Sequence, residues 1–159
     1  MKNPVDKALE GFAIEPMETK DLPEVASIAA SSPLTAWTQR MFAEETKNAS
    51  SHCFIGETRR ASAREVVGFI CFRTVGEESE LLNLCVRPRY RRQSLGKRLM
   101  RFYIDFCRKR RIKTFYLDVD PSNEPALRLY QSFCYILSGT RKSFYGGKSD
   151  ALLMARREA

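Results

Sequence analysis

Apolar residues in this chain recur with two periods, and the switches between those periods outline the fold. After Thr19 or Asp21, either of which can cap a helix, Leu22, Val25, Ala26 and Ala29 follow helical spacing until Ser31-Ser32-Pro33 breaks it. A second short helix is predicted over 38–47, burying Met41 and Phe42. Three strands are predicted at 53–58, 66–75 and 79–86, preceded by a short one at 12–16. They are separated by a charged turn and by Gly76-Glu77-Glu78, the pattern of an antiparallel meander. Leu99, Phe102, Tyr103, Phe106 and Cys107 then recur at i, i+3, i+4, i+7 and i+8, one apolar stripe of a helix. Lys97, Arg98, Arg101, Asp105, Arg108 and Lys109 fall on its other faces. A strand at 114–119, a helix at 124–132 with Pro125 in its first turn, and closing strands at 135–145 and 151–156 around Gly146-Gly147 complete the pattern.

The succession strand, helix, strand between 79 and 119 implies a parallel pair joined by a right-handed crossover within an otherwise antiparallel sheet, hence a mixed α/β protein. It also puts the N-terminus of the amphipathic helix just past the C-terminal end of a strand, where open α/β sheets bind ligands. The length, 159 residues, fits one domain spanning 1–159. With 43% apolar and 29% charged residues the chain is neither disordered nor fibrous. No apolar run approaches the roughly 20 residues of a membrane span. Acidic residues interrupt the first fifteen positions, so no secretory signal and no membrane association are expected, and the expected location is cytoplasmic.

Five cysteines at wide spacings without a C-x-x-C pair argue against a disulfide framework or a structural zinc. The single histidine, His52, excludes two-His metal sites, and no metal is expected. The net charge of +8 is not spread evenly: residues 87–113 hold 12 basic residues and one acidic, a local +11. Such a block is a solvated face or a polyanion patch. Within it, RRQSLGK at 91–97 is a short basic loop running into a helix, whose first-turn N–H groups and dipole favour an anion such as a phosphate or diphosphate. Small residues at Ser94 and Gly96 allow close backbone approach, and Arg92 and Lys97 add charge.

The stretch ELLNLCVRPRYRRQSLGKRLM resembles the acetyl-coenzyme-A-binding segment of the GCN5-related N-acetyltransferase (GNAT) superfamily, whose signature of Arg or Gln, two residues, Gly, one residue, Gly or Ala reads Arg91, Ser94 and Gly96 here. LDVDPSNEPALRLYQSF and RKSFYGGKSDALLM are similar to the bacterial ribosomal-protein-alanine N-acetyltransferases, and PLTAWT is weakly so. This resemblance implies a mixed, mostly antiparallel sheet of six to seven strands with a central parallel βαβ crossover and about four helices. It implies acetyl-CoA as cosubstrate, with backbone groups of Leu84, Cys85 and Val86 on the pantetheine arm and Arg92, Gln93, Ser94, Leu95, Gly96 and Lys97 on the pyrophosphate. Asn123 would contact the cofactor, Tyr130 would act as general acid near its sulfur, and Asp118 would occupy the general-base position.

Each residue has a second reading. Asn123 is also a ready N-cap, and Tyr130 lies with Leu127 on a helix face that could be core. Alternation sets Thr114, Tyr116, Asp118 and Asp120 on the less apolar face of their strand. Asp is one methylene shorter than Glu, so the base acts directly, through a water, or with Glu80 sharing the task. Ser94 and Cys134 stand where the family has Gly, and Cys134 in a left-handed helix cap costs about 1 kcal/mol.

The implied reaction is direct acetyl transfer to an amine. An α-amine titrates near 7.7–8.0 and a lysine near 10.4, so weak carboxylate bases favour a protein N-terminus, with an N-terminal Ala of a ribosomal protein suggested by the resemblance. Alternatives are a small amine, a lysine, or a nucleic-acid or ribosome-binding module using Arg108-Lys109-Arg110-Arg111-Ile112-Lys113.

Overall fold

The structure, a computed structural model, describes residues 9–32, 36–60, 63–142 and 150–158. In chain order the elements are β1 (Ala13–Pro16), α1 (Leu22–Ala30), α2 (Gln39–Thr46), β2 (Ser51–Arg60), β3 (Ala63–Val75), β4 (Glu78–Val86), α3 (Leu95–Lys109), β5 (Thr114–Val119), α4 (Glu124–Ser132), β6 (Ile136–Arg141) and β7 (Ala151–Arg157). Single 3-10 turns occur at Thr19–Asp21 and Pro88–Tyr90. The strands form a seven-stranded sheet in the order β1-β2-β3-β4-β5-β7-β6, mixed and with β4 and β5 parallel, as the fold expectation required. None of the described helices is long and apolar enough to cross a membrane.

Contacts divide the chain into two units, with β3, β4 and α3 running through both: Met1–Cys71 with Asn83–Leu99, and Phe72–Leu82 with Met100–Ala159. In the first, β1 pairs antiparallel with β2 from Ala13 opposite Glu57 to Pro16 opposite Phe54. Thr38 caps α2, its hydroxyl accepting from the Met41 N–H. Phe42 is fully buried and meets the Phe69 ring edge-on at 5.0 Å. Met41, expected inside, is 42% exposed, because this eight-residue helix buries a single position. Arg64 bridges the buried carboxylates of Asp21 and Glu57, so these acids enter the core with a counter-charge.

In the second unit β4 pairs with β5 from Glu78 opposite Thr114 to Leu81 opposite Leu117, β5 pairs antiparallel with β7, and β7 with β6. Along β5, Phe115, Leu117 and Val119 are buried while Thr114, Tyr116 and Asp118 are not, the alternation that the sequence predicts. The apolar stripe of α3 packs here: Tyr103 stacks on Phe72 at 4.4 Å and meets Phe115 edge-on at 5.7 Å. Its hydroxyl shares a 2.7 Å hydrogen bond with Ser79, whose own hydroxyl lies 2.7 Å from the Arg73 carbonyl. Burial pushes the Tyr103 hydroxyl far up and the Cys107 thiol to about 11, as apolar packing dictates.

The strand expected at 135–145 begins at Ile136, and Tyr135 is a buried residue before it. The hairpin tip at Tyr145-Gly146-Gly147 and the start of the PLTAWT stretch lie outside the described residues.

Candidate active site

The loop between β4 and α3 is pinned at both ends. Tyr90 and Leu95 are buried in one cluster with Val67, against which Leu9, Phe12 and Val86 pack. The Tyr90 hydroxyl donates to Glu65 at 2.7 Å. Between these anchors, Arg92 and Ser94 adopt left-handed backbone at φ 62° and 63°, although neither is Gly. Each such residue costs about 1 kcal/mol. The Ser94 carbonyl accepts from the Arg98 N–H at 3.1 Å, so helical bonding begins at the serine and the following first-turn N–H groups have no helical acceptor. Gly96 and Lys97 lie in that first turn. Arg92, Ser94 and Lys97 are exposed, and Gln93 is half-buried, with its amide nitrogen donating to the Arg89 carbonyl at 3.4 Å and its Oε1 buried and unpaired among the described residues. Strained backbone, exposed cations and a fifteen-residue helix N-terminus together are the features of a candidate anion cradle.

Leu84, Cys85 and Val86 end β4, three to five residues beyond the Leu81 to Leu117 pair at which its ladder with β5 stops. The approach of β3 at this point depends on Gly68: a Cβ there would lie 2.8 Å from the Cys85 carbonyl oxygen. A glycine inside an apolar strand is the signal that could have revealed it. Arg91, named only as a signature residue, turns out to be a strut. Its guanidinium donates to the Val86 carbonyl at 3.0 Å, to Ser31 at 3.1 Å and to Ser32 at 3.4 Å, tying the C-terminal end of α1 to the end of β4. The Cys85 thiol is buried and faces the Ile28 carbonyl at 3.6 Å, a core role rather than a nucleophile's.

In the second unit Asp118 lines an open cavity of about 480 Å³ together with Glu78, Glu80, Arg73, Arg141 and Tyr116. Its carboxylate meets the Arg141 guanidinium at 3.3 Å, while only 14% of the side chain is exposed. Burial pushes the Asp118 carboxyl above the ordinary carboxylate range, and the Arg141 charge partly opposes that. The structure therefore brings Asp118 and Glu80 to one cavity. Arg141, which sequence reasoning missed, reaches them from β6, across the intervening β7.

Asn123 is the N-cap of α4, its Oδ1 accepting from the Ala126 N–H at 3.3 Å. Tyr130 is buried near the end of that helix, with its ring 5.9 Å from Tyr135. The helix closes with the Tyr135 and Cys134 N–H groups bonded to the Tyr130 and Gln131 carbonyls, and Cys134 sits at φ 66° in the position usually given to Gly.

Residues 22–134 match the sequence profile of the Acetyltransferase (GNAT) family. The chain belongs to this family. The ribosomal protein bS18-alanine N-acetyltransferase of Escherichia coli (strain K12) is 30% identical over 145 residues, which cover 89% of this chain and 95% of that protein. The crystal structure of the ribosomal-protein-S18-alanine N-acetyltransferase from Escherichia coli matches with a TM-score of 0.80 at 30% identity over 92% and 93% of the two chains. Ard1 from Thermoplasma volcanium matches with a TM-score of 0.83 at 25% identity over 94% and 99%. This GNAT protein is an N-acetyltransferase, with the cradle and the carboxylate cavity as its candidate working parts.

Proposed function

We propose that the protein moves the acetyl group of acetyl-CoA directly to the N-terminal α-amine of a protein, a ribosomal protein beginning with Ala being the best-matched acceptor. The observation that carries this reading is Asp118, a carboxylate lifted by burial on the wall of an open cavity. A carboxylate is a weak base, nearer in proton affinity to an α-amine titrating near 7.7–8.0 than to a lysine near 10.4, and burial moves Asp118 in that direction. The full-length similarity to bS18-alanine acetyltransferases supports the acceptor class.

The cradle fits a diphosphate, because left-handed Arg92 and Ser94 turn the loop backbone at the start of α3. In this reading the N–H groups of residues 92–97 bind the pyrophosphate, Arg92 and Lys97 screen its charge, and backbone groups of Leu84, Cys85 and Val86 hold the amide arm. Asn123, whose Oδ1 serves the cap, uses its amide donors toward the cofactor. Bound acetyl-CoA supplies an activated thioester. Asp118, directly or through a water and with Glu80 beside it, removes the proton from the acceptor ammonium. Strand N–H groups steady the developing oxyanion, and Tyr130 protonates the departing thiolate. Residues 1–159 then act as a single acetyltransferase domain in the cytoplasm.

Incubation with acetyl-CoA and peptides beginning with Ala, Ser or Met, read by mass spectrometry, tests the proposal. Acetyl on the α-nitrogen, fastest for Ala, is expected. Transfer only to a free polyamine, or to no peptide N-terminus, would overturn it.

A further inference from the structure

We propose that the outer face of the second half of α3 and the turn that ends it form an RNA-docking surface recognising phosphates. Among the described residues, Arg101, Lys109 and Arg111 are exposed and have no acidic partner. Their basic neighbours are already engaged: Arg108 bonds Glu158 at 3.3 Å and Asp105 at 3.9 Å, and Lys113 pairs with Glu77 at 3.4 Å. Asp105, the one acid in residues 87–113, is thereby held by Arg108 and does not neutralise Arg101, Lys109 or Arg111. The Arg110 guanidinium sits over the Phe106 ring, 3.5 Å from its centroid, and donates to the Phe106 carbonyl at 3.3 Å, which holds it in place at the surface.

The turn itself is committed. The Ile112 and Arg111 N–H groups donate to the Cys107 and Arg108 carbonyls, and Arg111 takes left-handed backbone at φ 60°. Lys109, Arg110 and Arg111 are therefore presented on an ordered cap, and Arg101 precedes Lys109 by about 12 Å along the helix axis.

The cofactor does not account for these charges, because its phosphates are met by the loop at the other end of the helix. A protein partner fits less well. Among the described residues the exposed large apolar side chains are Met41, Val75, Tyr116, Ile136 and Leu137, none of them in 95–113. Protein interfaces rest on apolar or aromatic anchors, whereas a phosphate backbone is held by charge and Arg donors alone. The inference goes beyond acetyl transfer and does not depend on it.

The test is anisotropy of a labelled RNA hairpin titrated with the full chain under saturating acetyl-CoA, at about 50 and about 200 mM salt. Four phosphate contacts, from Arg101, Lys109, Arg110 and Arg111, predict a fall in affinity of roughly 50- to 150-fold between the two salts. The R101Q/K109Q/R111Q variant should bind at least tenfold more weakly at the lower salt, with a salt dependence about a quarter as steep, and should acetylate a peptide at the wild-type rate. Equal RNA binding by wild type and variant, no binding at the lower salt, or competition by polyglutamate as effective as unlabelled RNA at equal charge would each overturn the proposal.

Discussion

In the proposed function the loop at 91–97 and the cavity around Asp118 would do their work in opposite ways. The loop acts through backbone: Ser94 stands where the family has Gly and still takes the left-handed conformation, at φ 63°, that the cradle needs. In the proposed function the binding groups there are N–H groups, and side-chain identity matters little as long as the conformation is reached. In the cavity the side chains matter: Asp118, which shares it with Glu78 and Glu80, has its proton affinity raised by burial and lowered by the Arg141 guanidinium at 3.3 Å. Conformation should therefore govern cofactor binding, and charge should govern turnover.

The largest effect expected is from Asp118→Asn, which keeps the shape of the cavity and removes the proposed base. The turnover number should fall by about 10²- to 10⁴-fold with the KM for acetyl-CoA nearly unchanged. Ser94→Pro tests the other side, since a proline φ near −65° cannot replace +63°. Acetyl-CoA affinity measured by calorimetry should drop by at least about tenfold, one to two hydrogen-bonded amides' worth, while Ser94→Gly should bind as well as wild type.

Arg141→Gln gives a smaller change. With Asp118 as the proposed base, activity requires its carboxylate, so the rate should rise with pH through its titration. Removing the cation that lowers this titration should move the acid limb of the kcat/KM profile upward, modestly because Arg141 is 53% exposed and screened. The smallest effect is Cys134→Gly. It relieves left-handed strain at φ 66° and should raise stability by about 1 kcal/mol in a denaturant titration without altering kinetics.

Local signals made much of this legible in sequence. Strand β5 and helix α4 follow the predicted spans because alternation marks the one, and Pro125 with the Asn123 cap marks the other. The left-handed Cys134 was readable as a non-Gly residue in a Gly place. Long-range pairings were not. Arg91 finds its serines about sixty positions earlier, and Arg141 meets Asp118 across the β5-β7-β6 order, which local patterns do not reveal. Met41 shows the limit of periodicity in a short helix, where an apolar residue next to a buried Phe need not share its face.

The central claim, a lifted carboxylate matched to an α-amine, is tested most directly by one competition. Two peptides of the same sequence, one with a free N-terminal Ala and one N-terminally blocked with its lysine free, are acetylated together at neutral pH. Preferential acetylation of the free α-amine in wild type, lost in Asp118→Asn, is the predicted result. Faster acetylation of the lysine, or a preference that survives Asp118→Asn at full rate, would contradict it.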